Sequence, residues 1–179
     1  MKTNKYLAKI AFLSLTLLLT FAASAEAQRK KSTTAKKTAT TTTTAATNTL
    51  EIKQGADKVS IQIKNVTKFI YILGSVASGF EVVDKDAKSG KLSKPVVDKN
   101  NQDKQAVIGS IRNLKAGLAA LEVEFRTKPS LKNYLFQIQG ITDLTTQSED
   151  LASAGRFMDS GKPLLSVIEK LADTLAAMP

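Results

Sequence analysis

The side chains available for chemistry in this chain are carboxylates, hydroxyls and amines, because it contains neither His nor Cys. That removes the commonest general base, the commonest transition-metal ligand, thiol nucleophiles and disulfides. A Ser–Lys scheme survives in principle, and Ser160 and Lys162 lie close in sequence. They flank Gly161 and precede Pro163, which is the pattern of a helix start rather than of a nucleophile and its base. Paired carboxylates are the next resource. Glu122 and Glu124 are two positions apart, so on a helix they point to different sides and cannot form a close dyad. Glu149 and Asp150 are adjacent and read as solvated. A di-metal carboxylate bundle needs Glu-x-x-His pairs, which this composition cannot supply. Asp84-Lys85-Asp86 followed by Gly90 makes a poor calcium loop, because Pro95 stands where the bidentate Glu belongs. Gly74 and Gly79 have the separation of a phosphate loop, but Phe80 and Glu81 follow where Lys and Ser or Thr are required. No catalytic residue, metal site or cofactor is expected.

The elements that would position any site are helices. From Ile52 the residues Ala56, Val59, Ile63, Val66, Ile70, Leu73, Ala77 and Phe80 follow in alternating steps of 4 and 3. That is the apolar seam of one long amphipathic helix, which needs similar helices to cover it. Asn48 with Glu51 three residues on suggests a capping box at its start, giving helix 1 over 49–80. Residues 81–104 mix charges with Gly90 and Pro95 and read as a long connection, with Val96 and Val97 pinning it to the bundle. Helix 2 is expected over 102–127, with Val107, Ile111, Leu114, Leu118, Leu121 and Phe125 as its seam. Pro129 suits the first turn of helix 3, expected over 129–154. Its apolar face is Leu131, Leu135, Ile138, Ile141, Leu144 and Leu151, interrupted by Thr145 and Ser148. Helix 4, over 162–178, carries Leu164, Ile168, Leu171, Leu175 and Met178. Residues 49–179 therefore predict an all-α, antiparallel four-helix bundle with left-handed, heptad-type packing and essentially no sheet.

What precedes the bundle reads as targeting and spacing. Residues 1–25 have the form of a secretory signal peptide: Lys2, Lys5 and Lys9, an apolar run from Ile10 to Phe21, then Ala23-Ser24-Ala25 as cleavage site. Residues 26–48 are rich in Thr, Ala and Lys and read as a disordered linker, since Thr and Ala bury too little apolar area to offset ordering entropy. The formal net charge of +10 is concentrated in these two stretches. Arg29, Lys30, Lys31, Lys36 and Lys37 could act as an electrostatic tether, making weak contact with an anionic envelope surface. Nucleic acid is not expected as a partner, because no reader motif accompanies the basic tail and export argues against it.

One stretch of helix 1 departs from the amphipathic pattern. Phe69-Ile-Tyr-Ile-Leu73 is apolar almost all round, and small residues recur four apart at Gly74/Ser78 and Ser75/Gly79. Phe69, Tyr71, Ile72 and Phe80 thus form a candidate docking face, for an unknown protein partner or for self-association. With Tyr134 and Phe136 from helix 3, Tyr71 and Ile72 form the alternative, an apolar ligand pocket. The expected function is that of an exported, non-enzymatic bundle of the bacterial envelope, periplasmic or extracellular, that docks a partner or itself. The alternative is a carrier or sensor of an apolar small molecule or lipid.

Overall fold

The computed structural model describes residues 40–179, with side chains from residue 47 onward. The expected signal peptide, most of the linker and the five tether residues lie outside the described residues. Among those described, every regular element is helical. Four long helices, α1 (Thr40–Lys88), α2 (Lys94–Thr127), α4 (Ile141–Ser153) and α5 (Phe157–Ala177), are joined by short connections. A 3-10 turn (Lys132–Tyr134) and the one-turn α3 (Leu135–Ile138) sit between α2 and α4.

The long helices form a ring in which α1 packs on α2 and α5, and α4 packs on α2 and α5. Neighbours run in opposite directions. Asp84 near the end of α1 meets Lys104 near the start of α2, at 2.5 Å, while Lys58 meets Glu124 at 2.6 Å. The core follows most of the expected seam, but on α5 Val167 is enclosed while the expected Ile168 and Leu175 are only half-buried. Val59, Val66, Leu118, Phe125, Leu131, Ile138, Ile141, Leu164, Val167 and Leu171 are fully enclosed. A second cluster closes the other end around Ala77, Phe80, Ile108, Ile111, Ala152 and Phe157. There the Phe80 and Phe157 rings meet edge to face, centroids 4.9 Å apart, the arrangement aromatic quadrupoles prefer.

Five boundaries differ from expectation. Helix 1 already includes Thr40, the first described residue, so Asn48 and Glu51 are interior rather than at its start; no Gly or Pro lies between Thr40 and Asn48 to stop it. It also runs on to Lys88, through half of the expected loop. Its end is set by Gly90, at φ 70. The Gly90 amide donates to Ala87 O and the Lys91 amide to Asp86 O, the paired bonds of a glycine-terminated helix. α2 then starts at Lys94, because Pro95 falls in its first turn, where a missing N–H costs nothing. The mixed charges of 81–104 are therefore helix surface, paired as Lys94–Asp98 within α2 and as Asn100 and Lys104 with Asp84 across to α1.

Helix 3 is not continuous. The chain breaks at Gly140, whose φ of 87 is left-handed, and α4 starts anew at Ile141. Helix 4 starts at Phe157, five residues early, with Pro163 inside it. Gly155, at φ 79, ends α4 through bonds from its own amide to Ala152 O and from the Arg156 amide to Leu151 O.

Candidate functional site

In a bundle helix the positions farthest from the seam are normally its most polar. In the second half of α1 they are not. Tyr71 is 82% exposed, Ile72 58% and Val82 59%. Ser75, Ser78 and Gly79 lie exposed among them, and no charged residue occurs between Lys68 and Glu81. The helix is long and apolar enough to cross a membrane by length and composition, yet only 22% of its most apolar 18-residue window is buried. Scattered exposed hydrophobics need no explanation, but a contiguous uncharged face on one helix marks a contact surface.

The six expected site residues divide. Tyr71, Ile72 and Phe136 are on the surface, Phe136 at 78% exposure. Phe80 is not: it is 5% exposed, held by Phe157, with the Lys104 ammonium 5.9 Å from its ring. Phe69 and Tyr134 are half-buried and pack on the core. Phe80 is a seam residue, and Phe69 and Tyr134 flank the seams; in all three the aromatic ring serves packing. Tyr71, Ile72, Tyr134 and Phe136 do not line one cavity, since Phe136 lies on α3, which packs chiefly against α5 and α2. Two other hollows flank α1. A groove of about 310 Å³ toward α2 is lined by Gln62, Asn65, Phe69, Ser110, Asn113, Leu114 and Gly117. A smaller one of about 150 Å³ toward α5 is lined by Ile70, Leu73, Gly74, Met158, Gly161, Lys162 and Leu165.

The ionisable groups are engaged in holding the bundle. Glu122 and Glu124 diverge, as their spacing requires. Glu122, 7% exposed, leaves α2 toward the start of α4. It accepts the Gly140 amide at 3.1 Å, the Thr142 amide at 3.2 Å and the Thr142 hydroxyl at 2.7 Å. Gly140 has no side chain with which to cap α4, so a carboxylate from another helix does it. Burial opposes ionisation of Glu122, but these hydrogen bonds outweigh it and hold the carboxyl below its ordinary range. Glu124 accepts from Lys58 and Lys128, each at 2.6 Å. Burial opposes its ionisation too, and the two ammonium groups overcome that.

Glu149 is not solvated. It receives Arg112 at 2.6 Å and also Lys115, and the bonds from Arg112 and Lys115 lower its pKa. Ser160 is fully buried and donates to Phe157 O at 2.7 Å, while Lys162 turns to Asp159 at 2.8 Å, so the two do not meet. Thr145 and Ser148 are also fully buried and line no polar pocket among the described residues. Thr145 donates to Ile141 O, and the Ser148 hydroxyl has no partner among the described residues. Among the described residues no group of three acidic, His or Cys side chains is placed to hold a metal ion.

Comparison with protein families, with curated proteins and with solved structures found no match to this chain. The outward face of α1 is therefore read on its physical chemistry alone.

Proposed function

We propose that this chain is an exported, non-enzymatic helical-bundle protein of the bacterial envelope that works by docking. Its scaffold is an antiparallel four-helix bundle with left-handed, heptad-type packing. Its working surface is the outward face of α1 around Tyr71 and Ile72. One observation carries this reading: the most apolar stretch of the longest helix is mostly left outside the core. Leaving Tyr71 and Ile72 in water forgoes the stabilisation their burial would bring, roughly 1.5–3 kcal/mol for a side chain such as Ile. A partner that covers them recovers it. The basic stretch from Arg29 to Lys37 acts as a spacer that also makes weak contact with anionic envelope polymers.

The test is photo-cross-linking in the source cell, with a photoreactive side chain at Tyr71 and, as control, at the exposed Asp173 on α5. A discrete adduct from position 71, absent from position 173 and lost on adding Ile72→Glu, is the expected result. Equal labelling from both positions would refute a docking role for this face.

A further inference from the structure

On the docking reading above, which this inference deepens, the outward face of α1 carries a second seam. Lys68, Ile72, Ser75, Gly79, Val82 and Asp86 follow one another in steps of 4, 3, 4, 3 and 4. All but the half-buried Asp86 are exposed, and they lie on the side of α1 away from the buried Val66, Leu73, Ala77 and Phe80. Such spacing keeps a line of residues facing one partner helix along its whole length. Read from its N-terminal end the line is a cation, an apolar residue, two small residues, an apolar residue and an anion. Read backwards it is the complement of itself. We infer that this face pairs with the same face of a second copy of the chain, antiparallel, about a two-fold axis at the level of Ala77.

In that arrangement Lys68 meets the second copy's Asp86, Ile72 meets its Val82, and Ser75 meets its Gly79, each contact occurring twice by symmetry. A parallel pairing would instead set Lys68 on Lys68 and Asp86 on Asp86, which like charges oppose. The charges are free to take these roles. Lys68 is exposed and unpaired among the described residues, and among them the Asp86 carboxylate pairs only with Lys91, at 3.9 Å. The small residues fall at the crossing point, where two helix backbones come closest. Within the monomer they have no such use. A Cβ added to Gly74 or Gly79 would meet nothing within 4 Å, whereas one added to Gly55 would strike Leu131 at 2.8 Å. Glycine inside a helix is destabilising relative to alanine, so the bundle alone gives Gly79 no reason to be glycine, and a close helix–helix crossing does. Lys64 and Lys68 bound the face at one end, while Glu81, Asp84 and Asp86 stand with Lys85 and Lys88 at the other, so it has no continuous cationic rim to hold it against an anionic membrane. The face is one helix wide, which is the size of a reversible contact rather than an obligate one.

The absence of cysteine from the chain makes the test direct. Whole chains carrying Ile72→Cys or Val82→Cys are prepared separately and oxidised, alone and mixed; circular dichroism confirms the helical fold of each. In the antiparallel pair, positions 72 and 82 of different copies are neighbours, while 72 and 72 lie about 15 Å apart along the axis, beyond disulfide reach. The expected result is a disulfide-linked dimer from the mixture and little from either protein alone. Dimers from each alone, with none gained on mixing, would overturn the antiparallel geometry. Sedimentation of the unmodified chain should show mass rising toward twice the monomer with concentration. Lys68→Asp should weaken this association at least about tenfold, and adding Asp86→Lys should restore it. A chain that stays monomeric and gives no cross-link from the mixture overturns self-pairing. The docking reading then survives if the Tyr71 photo-adduct contains a different protein, and falls with it if there is no adduct.

Discussion

Replacing Glu122 should loosen the bundle at one identifiable place. The carboxylate is 7% exposed and takes the Gly140 and Thr142 amides and the Thr142 hydroxyl. Glu122→Ala strands two amides at the start of α4. Removing an N-cap costs about 1 kcal/mol, and each buried donor left without a partner costs about 1–3 kcal/mol. These overlap, so about 2–3 kcal/mol is expected, against about 1 kcal/mol for Glu122→Gln, which keeps one acceptor oxygen. With a urea slope of about 2 kcal/mol/M, the midpoint for Glu122→Ala should fall by about 1–1.5 M at unchanged slope. The pH dependence has a definite sign. The folded-state pKa is depressed, so the stabilisation is fully present above the unfolded value of about 4.3 and is lost as pH falls through the folded value. The gap between wild type and Glu122→Gln should therefore narrow below about pH 4. An unchanged midpoint at pH 7, or a gap that widens in acid, would refute the capping role.

Other substitutions separate packing from propensity. Gly55→Ala drives a methyl into Leu131 and Met178, and should cost about 1–3 kcal/mol by overpacking. Gly74→Ala meets nothing and should stabilise by up to about 1 kcal/mol; paired thermal melts decide both. Ser148→Ala removes a fully buried hydroxyl that has no partner among the described residues, so its melting temperature should hold or rise. Phe157→Ala should cost about 3–5 kcal/mol in urea titration, because it empties the centre of the second cluster; a loss under 1 kcal/mol would mean that end is loosely packed.

The parts legible in the sequence are those fixed by a repeat along one helix. The line from Val59 to Phe80 and the line from Ile111 to Phe125 face the core, most of their residues buried and Ile63, Ile70 and Leu114 partly so, because their spacing keeps them on one side. What the repeat does not encode is how neighbours finish each other. Gly140 stands inside a plausible helical pattern, and the group that caps the new helix, Glu122, is 18 residues earlier on another helix. Asp84, Lys94, Asp98, Lys99 and Lys104 read as loop because they are charged, yet each has a partner one turn away or across the helix pair. Aromatic content misled in the other direction. Phe80 attracts notice as a recognition residue, but its place on the apolar line of helix 1 already says core; Tyr134 is off the line of helix 3 and is nonetheless half-buried against the core. Tyr71 and Ile72 are off those lines, and that is the signal that singles them out.

The ring of helices also makes its closure depend on the last helix. Each neighbouring pair of long helices is consecutive in sequence except one, the pairing of α1 with α5. Local pairs close short loops and form quickly, while joining the first helix to the last closes nearly the whole bundle. Until α5 arrives, the face that Leu164, Val167 and Leu171 will seal is open, and those three become fully buried only then. A stage in which α5 has not yet docked leaves an apolar trough along the other three helices. That stage is the one at which a chaperone would bind or aggregation would begin.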